Sequence, residues 1–183
     1  MVRFHKVPLI VVPIFGRTNA LPGCGTGRTL AEDEELWRRG LRETTDHAER
    51  VGGRLVVEGI NRYENSLSVT LADAVRWARE MDSPSVAAMG DVFHMNLEEA
   101  DLEASFVEAG DMLAYVHLAD SQRLEPGRGH LDFASVFRGL SRIGYDGWAS
   151  MECNLSGDPE EVLPAAVSFL RERIGATHAG MAT

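Results

Sequence analysis

Basic residues, cysteines and long apolar runs are all scarce in this sequence. Its 183 residues include 18 Lys and Arg against 28 Asp and Glu, which gives a formal net charge of −10. A chain with this charge would be repelled by a phosphate backbone or an anionic membrane surface, so neither nucleic acid nor membrane is expected as a partner. The early apolar run at 7–15 is too short to span a bilayer and lacks the cleavage pattern of a secretion signal, so it is predicted to be a strand.

The two cysteines, Cys24 and Cys153, lie far apart and belong to no CxxC or zinc-ribbon pattern. A cytoplasmic location is therefore expected, with a single disulfide left open. Cys153 is interpreted as a packing residue, because no His/Asn pattern accompanies it. The tryptophans Trp37, Trp77 and Trp148 are likewise interpreted as packing residues rather than platforms for a sugar.

Five apolar runs alternate with five amphipathic stretches along the chain. The predicted strands are 8–15, 54–59, 86–92, 113–119 and 147–153, and the predicted helices are 30–51, 68–81, 97–109, 133–143 and 160–174. Near-continuous apolar strands are typical of a parallel sheet that is covered on both faces. The order predicts a parallel α/β fold, either a barrel or an open doubly wound sheet, in one domain over residues 1–174. Five units are too few for a closed (β/α)8 barrel.

Local signals support the helix boundaries. Asp132 is predicted to cap one helix and Gly144 to follow it in a left-handed conformation, while Asp158 and Pro159 are predicted to open the last helix. Residues 175–183 lack a periodic pattern and are predicted to be a flexible tail. The glycine-rich stretch 23–27 lies well beyond the first strand, so it is interpreted as a loop rather than a nucleotide cradle.

Each of the last four predicted strands ends at a residue type that can bind a metal. These residues are Glu58, Asp91, His117 and Glu152, at intervals of 33, 26 and 35 residues, which match single strand-helix units. Because the carboxyl ends of parallel strands converge on one face, the four side chains are predicted to meet there.

The alternative for any one of these residues is a structural role. A lone carboxylate at a strand end is usually a helix cap or the partner of an arginine, and a lone histidine is usually structural. Three carboxylates at the same end of the sheet would repel each other, whereas a divalent cation removes the repulsion. The oxygen-rich set with one nitrogen favours Mn²⁺, with Mg²⁺ or Co²⁺ as alternatives.

Four sequence segments resemble a known family. They are Glu58-Gly-Ile-Asn-Arg-Tyr-Glu64, Asp91-Val-Phe-His-Met-Asn96, His117 with Arg123 and Pro126-Gly-Arg-Gly129, and Ser150-Met-Glu152. Together they resemble the xylose isomerase-like TIM barrels, in particular the D-tagatose/D-psicose (ketose) 3-epimerases. Family members normally have three further strand-helix units at the amino-terminal side, so the resemblance implies a (β/α)8 TIM-barrel type with only about five units present, equivalent to strands 4–8.

The resemblance also implies roles for individual residues. Glu58, Asp91, His117 and Glu152 would bind the metal, Glu58 and Glu152 would also transfer protons, and Glu64, His94 and Arg123 would surround the sugar. Structural alternatives stay open for the last three: Glu64 could hold Arg62, His94 could be a packing residue, and Arg123 could be a surface arginine.

The expected activity is that of an isomerase, with C3 epimerisation of a ketose favoured. One carboxylate would remove a proton beside the ketone and the other would return it, through an enediolate whose oxygens the metal holds. Alternatives with the same site are aldose-ketose or hydroxypyruvate isomerase and inosose dehydratase chemistry.

Two further alternatives belong to other classes. A truncated, non-catalytic barrel remnant would bind metal or another subunit, and its uncovered sheet edge leads us to expect a homo-oligomer. A DNA-repair endonuclease on the same barrel would need a histidine-rich site and a basic face, which six histidines and a charge of −10 disfavour.

Overall fold

A computed structural model describes residues 7–13 and 27–181, and it contains one sheet of five parallel strands. The strands lie in chain order, each hydrogen-bonded to the next. They are β1 (Leu9–Val11), β2 (Leu55–Glu58), β3 (Val86–Asp91), β4 (Leu113–Leu118) and β5 (Trp148–Met151). The sheet is a half-barrel, which confirms the predicted partial barrel. Cys24 and most of the glycine-rich stretch lie outside the described residues.

Six helices connect or follow the strands. They are α1 (Leu30–Val51), α2 (Leu71–Met81), α3 (Val92–Glu98), α4 (Leu102–Ala109), α5 (Phe133–Arg142) and α6 (Pro159–Met181), with a 3-10 turn at Gly110–Met112. Within the described residues, every helix is too short or too polar to cross a bilayer.

Three helix predictions were wrong in their boundaries. The helix predicted at 68–81 begins only at Leu71, because Thr70 caps it. The predicted helix 97–109 is two helices, because Asp101 caps α4 by accepting a hydrogen bond from the Ala104 N–H. A helix also begins directly after β3, where Asp91 accepts from the Phe93 N–H. The last helix continues seven residues past Ile174 to Met181, so the part of the predicted tail that the structure describes is helical.

The predicted boundary residues of α5 and the predicted start of α6 are confirmed. Asp132 accepts from the N–H groups of Ala134 and Ser135, and Gly144 has a φ of +63°. Asp158 accepts from the Glu160 N–H at the start of α6. These bonds satisfy backbone donors that have no partner inside the helix.

The two faces of the sheet have different roles. One face packs against the helices in a large core that includes Trp77, Phe106 and Phe133. The other face carries a small cluster of Val56, Ala87 and Met89. Because successive strand residues point to opposite faces, residues two positions further along β2 and β3 share the face of the small cluster. Those residues are Glu58 and Asp91.

Candidate metal centre

Four polar side chains lie at the carboxyl ends of neighbouring strands. Glu58 ends β2, Asp91 ends β3, His117 is the penultimate residue of β4, and Glu152 follows β5 directly. In the register, Asp91 pairs with His117, and His117 pairs with Ser150, two residues before Glu152. The strand periodicity therefore places all four side chains on the inner face of the half-barrel.

The four side chains lie close enough to share one ion. One donor atom from each lies within 4.8 Å of the corresponding atoms of the others. The Nδ1 atom of His117 is 3.2 Å from the Glu152 carboxylate and 3.8 Å from that of Asp91. Glu58, Asp91 and His117 are buried, whereas the Glu152 side chain is 51% exposed. Among the four residues, Glu152 is therefore the one most accessible to solvent.

The donor set fits a divalent cation. Glu58 Oε1 and His117 Nδ1 are both buried and make no hydrogen bond among the described residues, although His117 Nδ1 lies within ion-pair distance of the Glu152 carboxylate. Buried polar atoms without a partner are rare in folded proteins and call for an explanation. Three carboxylates and one imidazole suit Mn²⁺, Mg²⁺ or Co²⁺, and a shared ion would satisfy both of these atoms.

Burial and neighbouring charges shift the pKa values of Glu58, Asp91 and His117 in different directions. Burial raises the pKa of Glu58 to about 8, and the negative charge of Asp91 adds to the effect. Burial also opposes ionisation of Asp91, but His117 and the Arg123 guanidinium hold the pKa of that carboxyl below its ordinary value. Burial disfavours the charged imidazole of His117, yet the neighbouring carboxylates of Asp91 and Glu152 raise its pKa. Without metal, the cluster therefore retains a proton on Glu58.

Arg123 lies beside two of the proposed ligands. One guanidinium nitrogen donates to Asp91 Oδ2 at 2.8 Å and the other pairs with Glu152. The guanidinium also lies over the Phe93 ring, 4.7 Å from its centroid. The Arg123 side chain is 23% exposed, so it is partly buried among these contacts.

The loop that carries Arg123 is organised by Asp120, a residue that the sequence analysis missed. The Asp120 carboxylate accepts hydrogen bonds from the backbone N–H groups of Ser121, Gly127 and Leu131. Arg123 itself has a φ of +61°, which is rare for a residue with a side chain and marks a position held in place by its surroundings. The position of Asp120, two residues after the end of β4, was the one feature of the sequence that could have indicated this role.

The remaining predicted site residues are joined by a second missed residue, Asn61. His94 is buried, with Nε2 3.9 Å from Asp91 Oδ2 and Nδ1 2.8 Å from the Asn61 side-chain nitrogen. Glu64 is exposed and accepts from the same nitrogen at 2.9 Å. The alternative in which Glu64 holds Arg62 is wrong, because Arg62 pairs with Glu98 at 2.6 Å.

Comparisons with known proteins agree with this architecture. A sequence profile described as "xylose isomerase-like TIM barrel" matches residues 3–173. The chain is 35% identical over 155 residues to the 3-dehydro-D-guloside 4-epimerase of Escherichia coli K12, covering 84% of this chain and 59% of that protein. It is 32% identical over 149 residues to the ketose 3-epimerase of Arthrobacter globiformis, covering 72% and 52%.

Solved structures give the same picture. The apo crystal structure of 3-keto-D-glucoside 4-epimerase from E. coli superposes with a TM-score of 0.82 at 33% identity, covering 89% of this chain and 63% of that one. A D-psicose 3-epimerase crystallised in the presence of D-fructose gives a TM-score of 0.76 at 26% identity, covering 82% and 60%. The chain thus spans about three fifths of the length of the relatives that it matches.

Proposed function

The chain belongs to the xylose isomerase-like TIM barrel family, and we propose that it is a metal-dependent epimerase that moves a proton on a carbon beside the ketone of a sugar. The observation that carries the proposal is the four-residue cluster, in which one donor atom of each residue lies within 4.8 Å of those of the others. Two buried atoms of the cluster, Glu58 Oε1 and His117 Nδ1, make no hydrogen bond among the described residues. Glu58, Asp91, His117 and Glu152 would hold the ion.

A bound divalent ion would stabilise the negative charge that develops when the carbon beside the ketone loses its proton. Glu58 and Glu152 are the proposed proton-transfer pair. Their environments differ, since Glu58 is buried and Glu152 is half exposed. A bound ion would displace the proton that Glu58 holds in the metal-free protein, so either carboxylate could accept the proton from the sugar.

Three further residues are proposed to bind the sugar. Arg123 would place a fixed positive charge beside the reacting oxygens, and its ion pair with Glu152 supports this, because Glu152 is one member of the proposed proton-transfer pair. His94 and Glu64 would hydrogen-bond hydroxyl groups. Their connection through Asn61 supports a common role.

Epimerisation at C3 of a ketose is the favoured reaction, because ketose 3-epimerases and D-psicose 3-epimerases recur among the relatives. The second candidate is epimerisation at C4 of a sugar with its ketone at C3, which the similarity to 3-dehydro-D-guloside 4-epimerase favours. Both reactions remove a proton from a carbon beside a ketone, so the same residues would serve either one.

Solvent deuterium distinguishes these reactions. The protein is loaded with Mn²⁺ and incubated in D₂O with D-fructose, D-psicose and a 3-keto glucoside, and after the metal has been removed the products are analysed by NMR. Deuterium at C3 of the ketose is expected, whereas deuterium at C4 of the keto glucoside would select the second candidate. Uptake at C1 of the ketose would indicate an aldose-ketose isomerase instead.

The substitution Glu152→Gln tests the proton-transfer pair. It removes the ionisable oxygen while preserving shape, and we expect turnover to fall by about 10²–10⁴-fold. The surface substitution Glu108→Gln is the matched control and should leave turnover unchanged. A protein that binds metal yet exchanges no deuterium into any of these sugars would contradict the proposal and favour a non-catalytic remnant.

A further inference from the structure

We propose that Asn61 is a positioning residue that holds His94 in the tautomer with its proton on Nε2, the ring nitrogen that faces the metal centre. Asn61 lies three residues after Glu58 and is only 2% exposed. Its side chain contacts both residues that the proposed function places around the sugar hydroxyls, His94 and Glu64.

The orientation of the Asn61 amide follows from two partners of fixed polarity. Its nitrogen lies 2.9 Å from Glu64 Oε1, and its oxygen lies 3.0 Å from the backbone nitrogen of Tyr63. An ionised carboxylate can only accept a hydrogen bond and a backbone N–H can only donate one. The reversed amide would lose both bonds, so the nitrogen must face Glu64.

The same nitrogen determines what His94 can do. Its second proton points to His94 Nδ1 at 2.8 Å, and the Asn61 backbone N–H approaches the same atom at 3.4 Å. Nδ1 faces two donors, so it must accept and carry no proton. A neutral imidazole then has its proton on Nε2.

The contacts of the second ring nitrogen, Nε2, are consistent with this tautomer. Arg123 Nη1 is 3.4 Å from Nε2 but has a nearer acceptor in Asp91 Oδ2, at 2.8 Å. The shorter contact at Nδ1 therefore decides the tautomer. His94 thus presents an N–H donor on the side of its ring that faces Asp91 and Arg123. That this donor meets a sugar hydroxyl rests on the proposed function, whereas the tautomer does not.

Nitrogen NMR of metal-free protein labelled with ¹⁵N-histidine tests the tautomer directly, at a pH above the imidazole titration. The His94 signal is identified by its loss in His94→Gln. We expect Nε2–H to exceed Nδ1–H by about tenfold, the ratio that one net hydrogen bond supplies. A His94 ring with its proton on Nδ1 would overturn the inference.

A pair of isosteric substitutions isolates the contribution of Asn61. Asn61→Asp replaces the donor with an acceptor, so the proton should move to Nδ1. Asn65→Asp makes the same change at a buried neighbour whose amide nitrogen has no partner among the described residues, and should leave His94 unchanged. An unaltered His94 tautomer in folded Asn61→Asp would contradict the inference, and if that variant does not fold, the wild-type spectrum still decides. Because no sugar enters the measurement, its result is independent of whether the chain is an epimerase.

Discussion

Glu58 is the carboxylate of the cluster whose ionisation is most disfavoured by its surroundings. It lies beside Asp91 in a buried position, and one of its oxygens has no hydrogen-bond partner among the described residues. Burial and the charge of Asp91 raise its pKa to about 8, so in the absence of metal it stays protonated at neutral pH. A metal ion would have to displace this proton, which makes metal binding and the protonation of Glu58 competing events.

The stability of the metal-free protein should therefore fall as pH rises. Glu58 has a higher pKa in the folded state than its ordinary value of 4.5, so the folded state binds the extra proton between pH 4.5 and pH 8 and loses stability across that interval. The loss should be on the order of 3–5 kcal/mol, measured by urea unfolding in the presence of a chelator. Glu58→Gln should flatten this slope and Glu108→Gln should keep it, and an equal slope in both variants would contradict the assignment to Glu58.

At the scale of secondary-structure elements, the sequence predicted those features that depend on neighbouring residues. Helix α1 has the predicted bounds, because its periodicity and its capping residue Thr29 are local. The break between α3 and α4 was missed because part of what stabilises it is distant: Glu99 accepts from the backbone N–H of Leu71, 28 residues earlier. Strand ends are local signals too, which is why the four proposed ligands could be identified, whereas Asn61 depends on His94, 33 residues away.

The junction between β2 and α2 gives a prediction at this scale. Gly59 follows Glu58, and a Cβ atom placed on it would lie 2.4 Å from the Thr70 carbonyl oxygen at the start of α2. Gly59→Ala should therefore destabilise the protein by about 1–3 kcal/mol in urea unfolding. Gly40→Ala, within α1, meets nothing within 4 Å and should stabilise the protein by about 0.5–1 kcal/mol. If Gly59→Ala did not destabilise the protein, the packing at this junction would not be as described.

For the whole molecule, the half-barrel leaves apolar side chains exposed at both edges of the sheet. Ile10 on β1 is 37% exposed, and Trp148 on β5 is 76% exposed, so the prediction that Trp148 packs in the interior was wrong. Trp148 lies in β5, the last strand of the sheet, and no further strand pairs with β5 among the described residues. The expected homo-oligomer, the cytoplasmic location and the preference for Mn²⁺ stay predictions.

The exposed edge leads us to expect association between copies of this chain. Trp148→Lys should weaken self-association at least tenfold, because burying a large apolar side chain contributes about 1.5–3 kcal/mol to the free energy of association. Val51→Lys is a suitable control, because Val51 is 57% exposed and lies at the end of helix α1 rather than in a strand. Sedimentation over a range of concentrations measures both. A wild-type protein that stays monomeric would contradict the expectation.

Divalent metal binding by isothermal titration calorimetry tests the central claim most directly. Asp91→Asn and Asp132→Asn form a matched pair, because each aspartate caps a helix and asparagine can cap equally well, yet only Asp91 belongs to the cluster. We expect one Mn²⁺ per chain in the wild-type protein and in Asp132→Asn, and binding weakened by at least about tenfold in Asp91→Asn. Equal Mn²⁺ affinity in all three proteins, or none in the wild type, would contradict the account.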